Sequence, residues 1–329
     1  MVDLKQNGKL GFGTAPLGNM YRDIPEDEAK AVIEAAWDGG IRYFDTAPFY
    51  GAGLAELRLG EVLTKHNRDE YVLSTKVGRY MLDETEEKGA GLFQHGRKNK
   101  VVDDYSAEGT RRSIEQSLER LQTDRIDFIY VHDISPDFHG DEWVTRFDEA
   151  RNGAFVELER LRSEGVITSW GIGVNRTEPI ELAMQLEHAN PDISLQATRY
   201  TLLDHEHALQ RLMPEAEEQG VSIVVGAPYS SGIIAGGSHY EYGEAPSEVT
   251  SQVDRMHDIA SHHGVDLTAA ALQFSAAHPA VAAVIPGTTR PERIQENIEA
   301  LHADIPEAFW HEMVEEGIIS PQAPLPIHS

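Results

Sequence analysis

The sequence predicts an α/β fold, a (β/α)8 TIM barrel in a single domain over residues 1–329. Three observations predict it. Eight short β-branched or apolar runs recur along the chain, and stretches of helical period separate most of them. A length of 329 residues (36.5 kDa) suits one large α/β barrel or two medium domains, and the unbroken strand–helix alternation favours the barrel. A doubly wound sheet is the runner-up. It usually carries a Gly-rich dinucleotide turn after its first strand, and the turn here reads GFGTAPLG, whose glycines do not fit G-x-G-x-x-G.

The first run is LGFGT (10–14). Ala29, Val32, Ile33, Ala36 and Trp37 then fall on one helical face, after Pro25-Glu26-Asp27. That triplet suits a first turn, because proline has no N–H to lose there and carboxylates favour the positive end of a helix. RYF (42–44) and YVLST (71–75) are the second and third strands. Ser106 opens the next helix, in which Ile114, Leu118 and Leu121 share a face. DFIYV (127–131) is the fourth strand, and Phe155, Leu158 and Leu161 align before Gly165. ITSWGI (167–172), ISLQ (193–196), VSIVV (221–225) and VAAVI (281–285) complete the eight. Thr289-Arg290-Pro291-Glu292 has a capping-box pattern ahead of Ile294, Ile298 and Leu301. Two connections are long, about 77–105 and 226–246. In a barrel both lie over the C-terminal mouth, where substrates bind, although insertions there are also simply tolerated.

Composition bounds the function. The chain is 40% hydrophobic and 25% charged, the profile of a folded protein. No apolar run approaches the ~18–20 residues that span a bilayer. The start, MVDLKQNGKLGFG, shows no leader pattern. The absence of cysteine excludes disulfides, Cys-ligated metals and Cys nucleophiles. These features point to the cytoplasm. Lys+Arg is 28 against 55 Asp+Glu, a net charge of −27 that repels a phosphate backbone, so nucleic acid and anionic membrane are not expected partners. Only eight of the 28 cations are lysines. This balance suits a salt-rich cytoplasm, and equally an ordinary acidic enzyme.

The chemistry concentrates at strand ends. The second strand runs into Asp45-Thr46-Ala47-Pro48-Phe49-Tyr50, the third ends in Lys76, and the fourth ends in His132-Asp133. Barrel closure brings those ends together. A lysine at the end of an apolar strand must pair or neutralise, and Asp45 can pair it. A free phenol of pKa ~10 is roughly one part in a thousand ionised at pH 7. An adjacent Lys76 ammonium is expected to favour the Tyr50 phenolate, and His132 to hydrogen-bond a substrate oxygen. Each residue alone reads more readily as structural; four on three successive strand ends do not. His205/His207 and His262/His263 invite a metal reading, but neither pair has a third ligand of suitable spacing nearby, and mobile surface histidines explain them. No metal is expected. Gly236-Gly237 reads as a loop flex point.

The stretches FDTAPFYGAGLAELRLGEVL, LSTKVG, YVHD, GIGVN and VIPGTTRPERIQEN together resemble the aldo-keto reductase superfamily, nearly end to end and in family order. The resemblance implies a catalytic tetrad of Asp45, Tyr50, Lys76 and His132, and an NAD or NADP cofactor held extended across the barrel mouth. It implies cofactor contacts from Gly13, Thr14, Asp45, Asn175, Gln196, Tyr229, Ser231, Gly232, Gly287, Thr288, Arg293, Glu296 and Asn297. Asn175 and Gln196 match the pair that holds the carboxamide, and Val174 stands where many relatives have serine. Gly226 stands where many relatives stack a tyrosine, so Tyr229 is the replacement expected. Gly287 stands where NADPH-preferring relatives often have lysine. Glu296 and Asn297 match the adenine-side pair.

RYTLLDHEHALQRLMPEA, YEYGEAPSEV and LTAAALQFSAAHPAVAAVIPG resemble the sugar-oxidising branch, the aldose 1-dehydrogenases together with pyridoxal 4-dehydrogenase. That branch oxidises a cyclic hemiacetal to a lactone. The expected activity is oxidation of an aldose at C1; a pyridoxal dehydrogenase, a general aldehyde reductase and a cofactor-sensing regulatory barrel are the alternatives. Met20, Tyr21, Phe49, Tyr80 and His132 are the candidate substrate contacts, giving a mixed polar and aromatic pocket for a small sugar or aldehyde. A monomer or homodimer is expected.

Overall fold

A computed structural model describes Leu4 and residues 9–89 and 91–327. Most of the stretch 1–8, read above for a leader, lies outside the described residues. In chain order the strands are β1 (Phe12–Gly13), β2 (Tyr43–Asp45), β3 (Val72–Val77), β4 (Arg79–Thr85), β5 (Asn99–Asp103), β6 (Phe128–His132), β7 (Ser169–Val174), β8 (Ile193–Ala197), β9 (Ser222–Gly226), β10 (His239–Tyr240), β11 (Gly243–Glu244) and β12 (Val281–Ile285). Eight of them form one parallel sheet in the order β1-β2-β3-β6-β7-β8-β9-β12. The sheet closes on itself: Gly11 N donates to Val284 O at 2.9 Å, and Val284 N donates to Lys9 O at 2.7 Å. Each of the eight expected runs is one of these barrel strands.

Strands buried on both faces need apolar residues on both, which is why they read as short continuous runs. Alternate residues divide accordingly. Tyr43, Phe128, Tyr130, Ile193, Leu195, Val224 and Ile285 cluster together inside the barrel. Their neighbours Phe44, Ile129, Val131, Ile172, Ile223 and Val225 join the larger core under the helices. The helix Glu26–Asp38 buries the five expected residues, Ala29 through Trp37, against that core. Ser106 caps Ala107–Leu121, its Oγ accepting from Gly109 N at 3.0 Å.

Four local expectations are corrected. The capping box at 289–292 does not form: Pro291 occupies the cap position of Glu292–Leu301, and Thr288 Oγ1 accepts from Arg290 N instead. The 77–105 connection is an antiparallel hairpin, β4 with β5, whose outer residues are exposed and so lack apolar alternation. The 226–246 connection holds a 3-10 turn, Ser230–Ala235, and the small hairpin β10–β11. His205 is not a surface residue: it is buried, with Nδ1 bonded to Thr201 O at 2.9 Å and Nε2 accepting from Ser320 N at 3.0 Å, so it ties the C-terminal segment down. Among the described residues no helix is long and apolar enough to cross a membrane.

Candidate active site

The C-terminal ends of β2, β3 and β6 bring Asp45, Lys76 and His132 to one cavity, and the turn after β2 adds Tyr50. Lys76 and Asp45 are 1–2% exposed, and Lys76 Nζ lies 2.6 Å from Asp45 Oδ2. An ion pair this deep survives only if its remaining valences are met. They are: Lys76 Nζ also donates to Thr46 O at 2.8 Å, and Asp45 Oδ1 accepts from Ser74 Oγ at 2.7 Å. Ser74 is held in turn by Tyr43, whose hydroxyl also meets that of Tyr130. Gly173 on β7 makes room for this lysine, because a Cβ there would meet Tyr130 and the Lys76 stem.

The Tyr50 turn is fixed by backbone contact. A Cβ on Gly51 (φ +68°) would fall 2.4 Å from Gly18 O, so the loop after β1 and the tyrosine turn lie directly against each other. Lys76 Nζ sits 4.7 Å from the centre of the Tyr50 ring. The Tyr50 hydroxyl makes no hydrogen bond among the described residues and faces the cavity.

The electrostatics differ from the sequence expectation. Burial first, then the carboxylates of Asp45 and Asp133, push the Tyr50 phenol well above its ordinary value, and Arg79 opposes them. Lys76 does not reverse this, because its charge is matched by Asp45 at hydrogen-bond distance. Tyr50 is therefore held as the neutral phenol, a proton donor at neutral pH and a base only in alkali. His132 is driven well below its ordinary value by burial, then by Lys76 and Arg79, so the imidazole is neutral.

Sequence reasoning missed Arg79. This buried arginine, on β4, pairs with Asp133 at 2.6 Å and with Asp103 at 2.9 Å. Its guanidinium lies 4.2 Å from the centre of the Phe49 ring and 5.3 Å from that of Phe138. Its Nη1 is 3.4 Å from His132 Nδ1. A guanidinium only donates, so Nδ1 is the acceptor and the imidazole proton resides on Nε2. Asp133, in the left-handed conformation (φ 55°), turns the chain so that it and His132 both face the cavity. The available signal was Arg79 three residues past Lys76, opposite the His132-Asp133 dipeptide.

The cavity walls come from Met20, Tyr21, Phe49 and His132, as expected, and also from Leu92, Phe93, Phe138 and Tyr242. Phe93 belongs to the long hairpin connection, and its ring packs on both Phe49 and Tyr50. Tyr242 comes from the β10–β11 turn, and its hydroxyl donates to Asn175 Oδ1 at 3.3 Å. Tyr80 is a correction. Neighbouring residues of β4 alternate sides, so while Arg79 points in, Tyr80 lies under the Arg112 guanidinium at 4.2 Å and is not part of the wall.

A second cavity shares Tyr229, Gly232 and Gly287 with the first, so the two form one continuous groove across the barrel mouth. Gly13, Asp45, Asn175, Ser231 and Gly232 line the first part; Thr288, Arg293, Glu296 and Asn297 line the second. Gly236 and Gly237 also line the second part. Tyr229 spans both, its hydroxyl donating to Asn297 Oδ1 at 2.6 Å. Two expected contacts lie behind the wall. Thr14 is fully buried and its hydroxyl donates to Asp45 O at 2.9 Å, so it supports the strand end. Gln196 is buried, with Nε2 donating to Asn175 O and Ala197 O. Its Oε1 is buried without a partner. Gln196 thus backs the wall residues Asn175 and Ala197, and the groove that they help to line is long enough in its two parts to take an extended dinucleotide. Gly287 explains the missing lysine sterically: a Cβ there would fall 2.8 Å from Gly13 O and from Pro16, so no longer side chain enters without moving the β1 loop.

Away from the groove, His262 and His263 do meet a third ligand type that their sequence neighbourhood did not reveal. Glu312, from the helix Glu307–Glu315, lies 3.3 Å from His262 Nδ1 and 2.6 Å from His263 Nε2.

Comparison with known proteins agrees with this geometry. Residues 9–316 match the aldo/keto reductase family. The chain is 39% identical to a pyridoxal 4-dehydrogenase of Microbacterium luteolum and 39% identical to a D-threo-aldose 1-dehydrogenase of a Pseudomonas species, with 94% of both chains covered in each case. The holo form of an aldo-keto reductase from Bacillus halodurans superposes with a TM-score of 0.72 at 26% identity, covering 94% of this chain and 91% of that one. The chain belongs to the aldo/keto reductase family and is an oxidoreductase of the nicotinamide-dependent kind.

Proposed function

We propose that the protein oxidises the ring hemiacetal of an aldose at C1 to the lactone. The observation that carries this reading is the unbonded Tyr50 hydroxyl in an aromatic-walled cavity, with the Lys76–Asp45 pair beside it and neutral His132 across from it. The hemiacetal carbon bears both a C–H and an O–H. A bound oxidised nicotinamide supplies the hydride acceptor. Tyr50 Oη, ionised, takes the hydroxyl proton as the carbonyl forms and the C–H pair leaves as hydride. His132 donates from Nε2 to the same oxygen and holds it toward Tyr50. Lys76 and Asp45 fix the tyrosine's surroundings as a neutral couple. Because Tyr50 is held protonated at neutral pH, oxidation should accelerate steadily into alkali.

Asp45, Gly13, Asn175, Ser231 and Gly232 would hold the nicotinamide half of the cofactor, and Thr288, Arg293, Glu296 and Asn297 the adenosine half. The Phe49, Phe93 and Phe138 rings favour a second substrate on the same chemistry, pyridoxal in its cyclic hemiacetal form, because flat apolar walls suit an aromatic ring as well as the C–H face of a sugar. We further propose that the chain acts as one barrel domain, in the cytoplasm, as a monomer or homodimer. The test follows nicotinamide absorbance with a panel of aldoses and pyridoxal at alkaline pH. Turnover of an aldose is the expected result. Brisk reduction of simple aldehydes with no oxidation of any aldose or of pyridoxal would overturn the substrate assignment. Nucleotide binding without turnover of any substrate would point to a regulatory barrel instead.

A further inference from the structure

Asp133 follows directly on β6 and lines the cavity beside His132. Its two oxygens are used unequally. Oδ2 is held by Arg79 Nη1 at 2.6 Å and lies 3.5 Å from His132 Nε2. Arg79 is fixed from its other side by Asp103 at 2.9 Å, so the guanidinium aims Asp133 Oδ1 away from itself. Oδ1 makes no hydrogen bond among the described residues, yet it is not sealed inside the protein, so it opens on the cavity. Two neighbouring polar groups of the wall are already occupied. Asp45 has both oxygens engaged, by Lys76 and by Ser74. The Asn175 amide donates to Asp137 and accepts from Tyr242. Phe49, Phe93 and Phe138 supply an apolar remainder. A buried carboxylate with one oxygen unmet lacks a donor, and a bound substrate that displaces water must bring one.

We propose that Asp133 is a specificity-determining residue: its Oδ1 accepts from the hydroxyl on the carbon next to the reacting one, so the site selects aldoses over their 2-deoxy analogues. The inference rests on the hemiacetal-oxidation reading of the site and deepens it. The geometry sets the position. With the C1 hydroxyl on His132 Nε2, the Asp133 carboxylate is one substituent away. C1 of a ring aldose has two neighbours. One is the ring oxygen, which only accepts; the other is C2, whose hydroxyl donates. A carboxylate only accepts, so the C2 side turns toward Asp133 and the ring oxygen turns away from it. The contact is charge-assisted, and a site built to hydrogen-bond a hydroxyl rejects the analogue that lacks it.

The experiment measures kcat/KM of the full-length protein, at one alkaline pH, for aldoses and their 2-deoxy analogues. D-Arabinose and D-ribose are set against 2-deoxy-D-ribose, D-galactose against 2-deoxy-D-galactose, and L-fucose against 2-deoxy-L-fucose. For each aldose turned over, the wild type should prefer it to the deoxy sugar by about ten- to a hundredfold, the worth of a hydrogen bond to a charged group. Asp133→Asn should narrow that ratio by about tenfold. Arg79 can only donate, so it takes the amide oxygen and leaves the uncharged amide nitrogen toward the cavity. Comparing the two proteins cancels whatever the missing hydroxyl does to the sugar itself. It also separates contact from support: a carboxylate that merely holds Arg79 in place would slow both sugars alike and leave the ratio unchanged. Asp103→Asn is the control, because it loosens the same arginine from outside the cavity wall and should leave the ratio at the wild-type value. Equal use of an aldose and its deoxy analogue by the wild type overturns the inference whether or not the variants fold. So does an unchanged ratio in Asp133→Asn, or an equal narrowing in Asp103→Asn. In each of these cases aldose oxidation itself still stands. Failure to oxidise any aldose overturns both.

Discussion

Two buried ion pairs flank the candidate catalytic tyrosine, and they are built in different ways. Lys76–Asp45 joins two adjacent barrel strands, with each partner at the end of its own strand and Ser74 and Thr46 meeting the remaining valences. Arg79–Asp133 joins a barrel strand end to a hairpin laid over the mouth, and its remaining contacts are two aromatic faces, Asp103 and the His132 imidazole. The first pair belongs to the scaffold and sits against the Tyr50 ring. The second belongs to the loops; Asp133 and Arg79 act on Tyr50 in opposite senses, and Arg79 also builds the pocket wall. A scaffold pair should control the chemical step, and a loop pair should control how substrate sits.

The largest effect should come from the group both pairs flank. Tyr50→Phe removes the hydroxyl and leaves each ion pair intact. Turnover should fall by ~10²–10⁴-fold, the usual worth of a positioned acid or base. Nucleotide affinity and the unfolding midpoint should stay close to wild type, because the lost hydroxyl makes no hydrogen bond within the described protein. Steady-state kinetics and a denaturant titration check both halves, and a kcat of the Tyr50→Phe variant near the wild-type value would remove Tyr50 from the mechanism.

What could be read from the sequence follows the same division. Asp45, Lys76 and His132 were legible because strand ends in a barrel converge, and polar residues there need a reason. Tyr50 was legible from its place in the turn after Asp45. Arg79 was not, because β4 has an exposed outer half with little apolar alternation, so the segment read as loop. Phe93 and Tyr242 were missed for a related cause: each reaches the cavity from a connection whose path depends on tertiary contacts. Tyr242 is held by its own N–H donating to Ser231 Oγ and by the neighbouring Glu241–Arg199 ion pair. Tyr80 was misplaced because a residue's neighbour on a strand points the other way, and the strand itself was not foreseen.

Breaking each pair from its cationic side sharpens the contrast. Lys76→Met and Arg79→Met each leave a buried carboxylate without its partner, a loss of about 3–5 kcal/mol in comparable cases. Both should lower stability in denaturant titrations. Their kinetics should separate. With Lys76 gone, the Asp45 charge next to Tyr50 is no longer matched, so the alkaline rise of the oxidation rate should move to higher pH and kcat should fall. With Arg79 gone, Phe49 and Phe138 lose the cation between them and His132 loses the donor at Nδ1, so substrate KM should rise more than kcat falls. Matching kinetic signatures in the two variants would erase the distinction between scaffold and loop pair.

The smallest effect tests the loop pair by titration. Burial raises the Asp133 carboxyl to about 6, with Arg79 opposing the rise. Below that pH the folded protein holds Asp133 neutral, and Arg79 loses its closest charge. Substrate KM should therefore rise severalfold as pH falls from 7 to 5, and Asp133→Asn should show the raised KM at every pH, with no inflection near 6. Stability should move in the opposite sense. The folded-state value lies above the ordinary 3.8, so the proton is bound more tightly in the folded chain than in the unfolded one. The stabilising contribution of that protonation is complete below about pH 4 and is lost as pH rises through 6. Measured as the difference in unfolding free energy between wild type and Asp133→Asn, the balance should shift toward the asparagine variant between pH 5 and 7. A difference that stays flat across that range, with KM also flat, would mean that Asp133 is already ionised at pH 5 and that the loop pair is as firmly charged as the scaffold pair beside it.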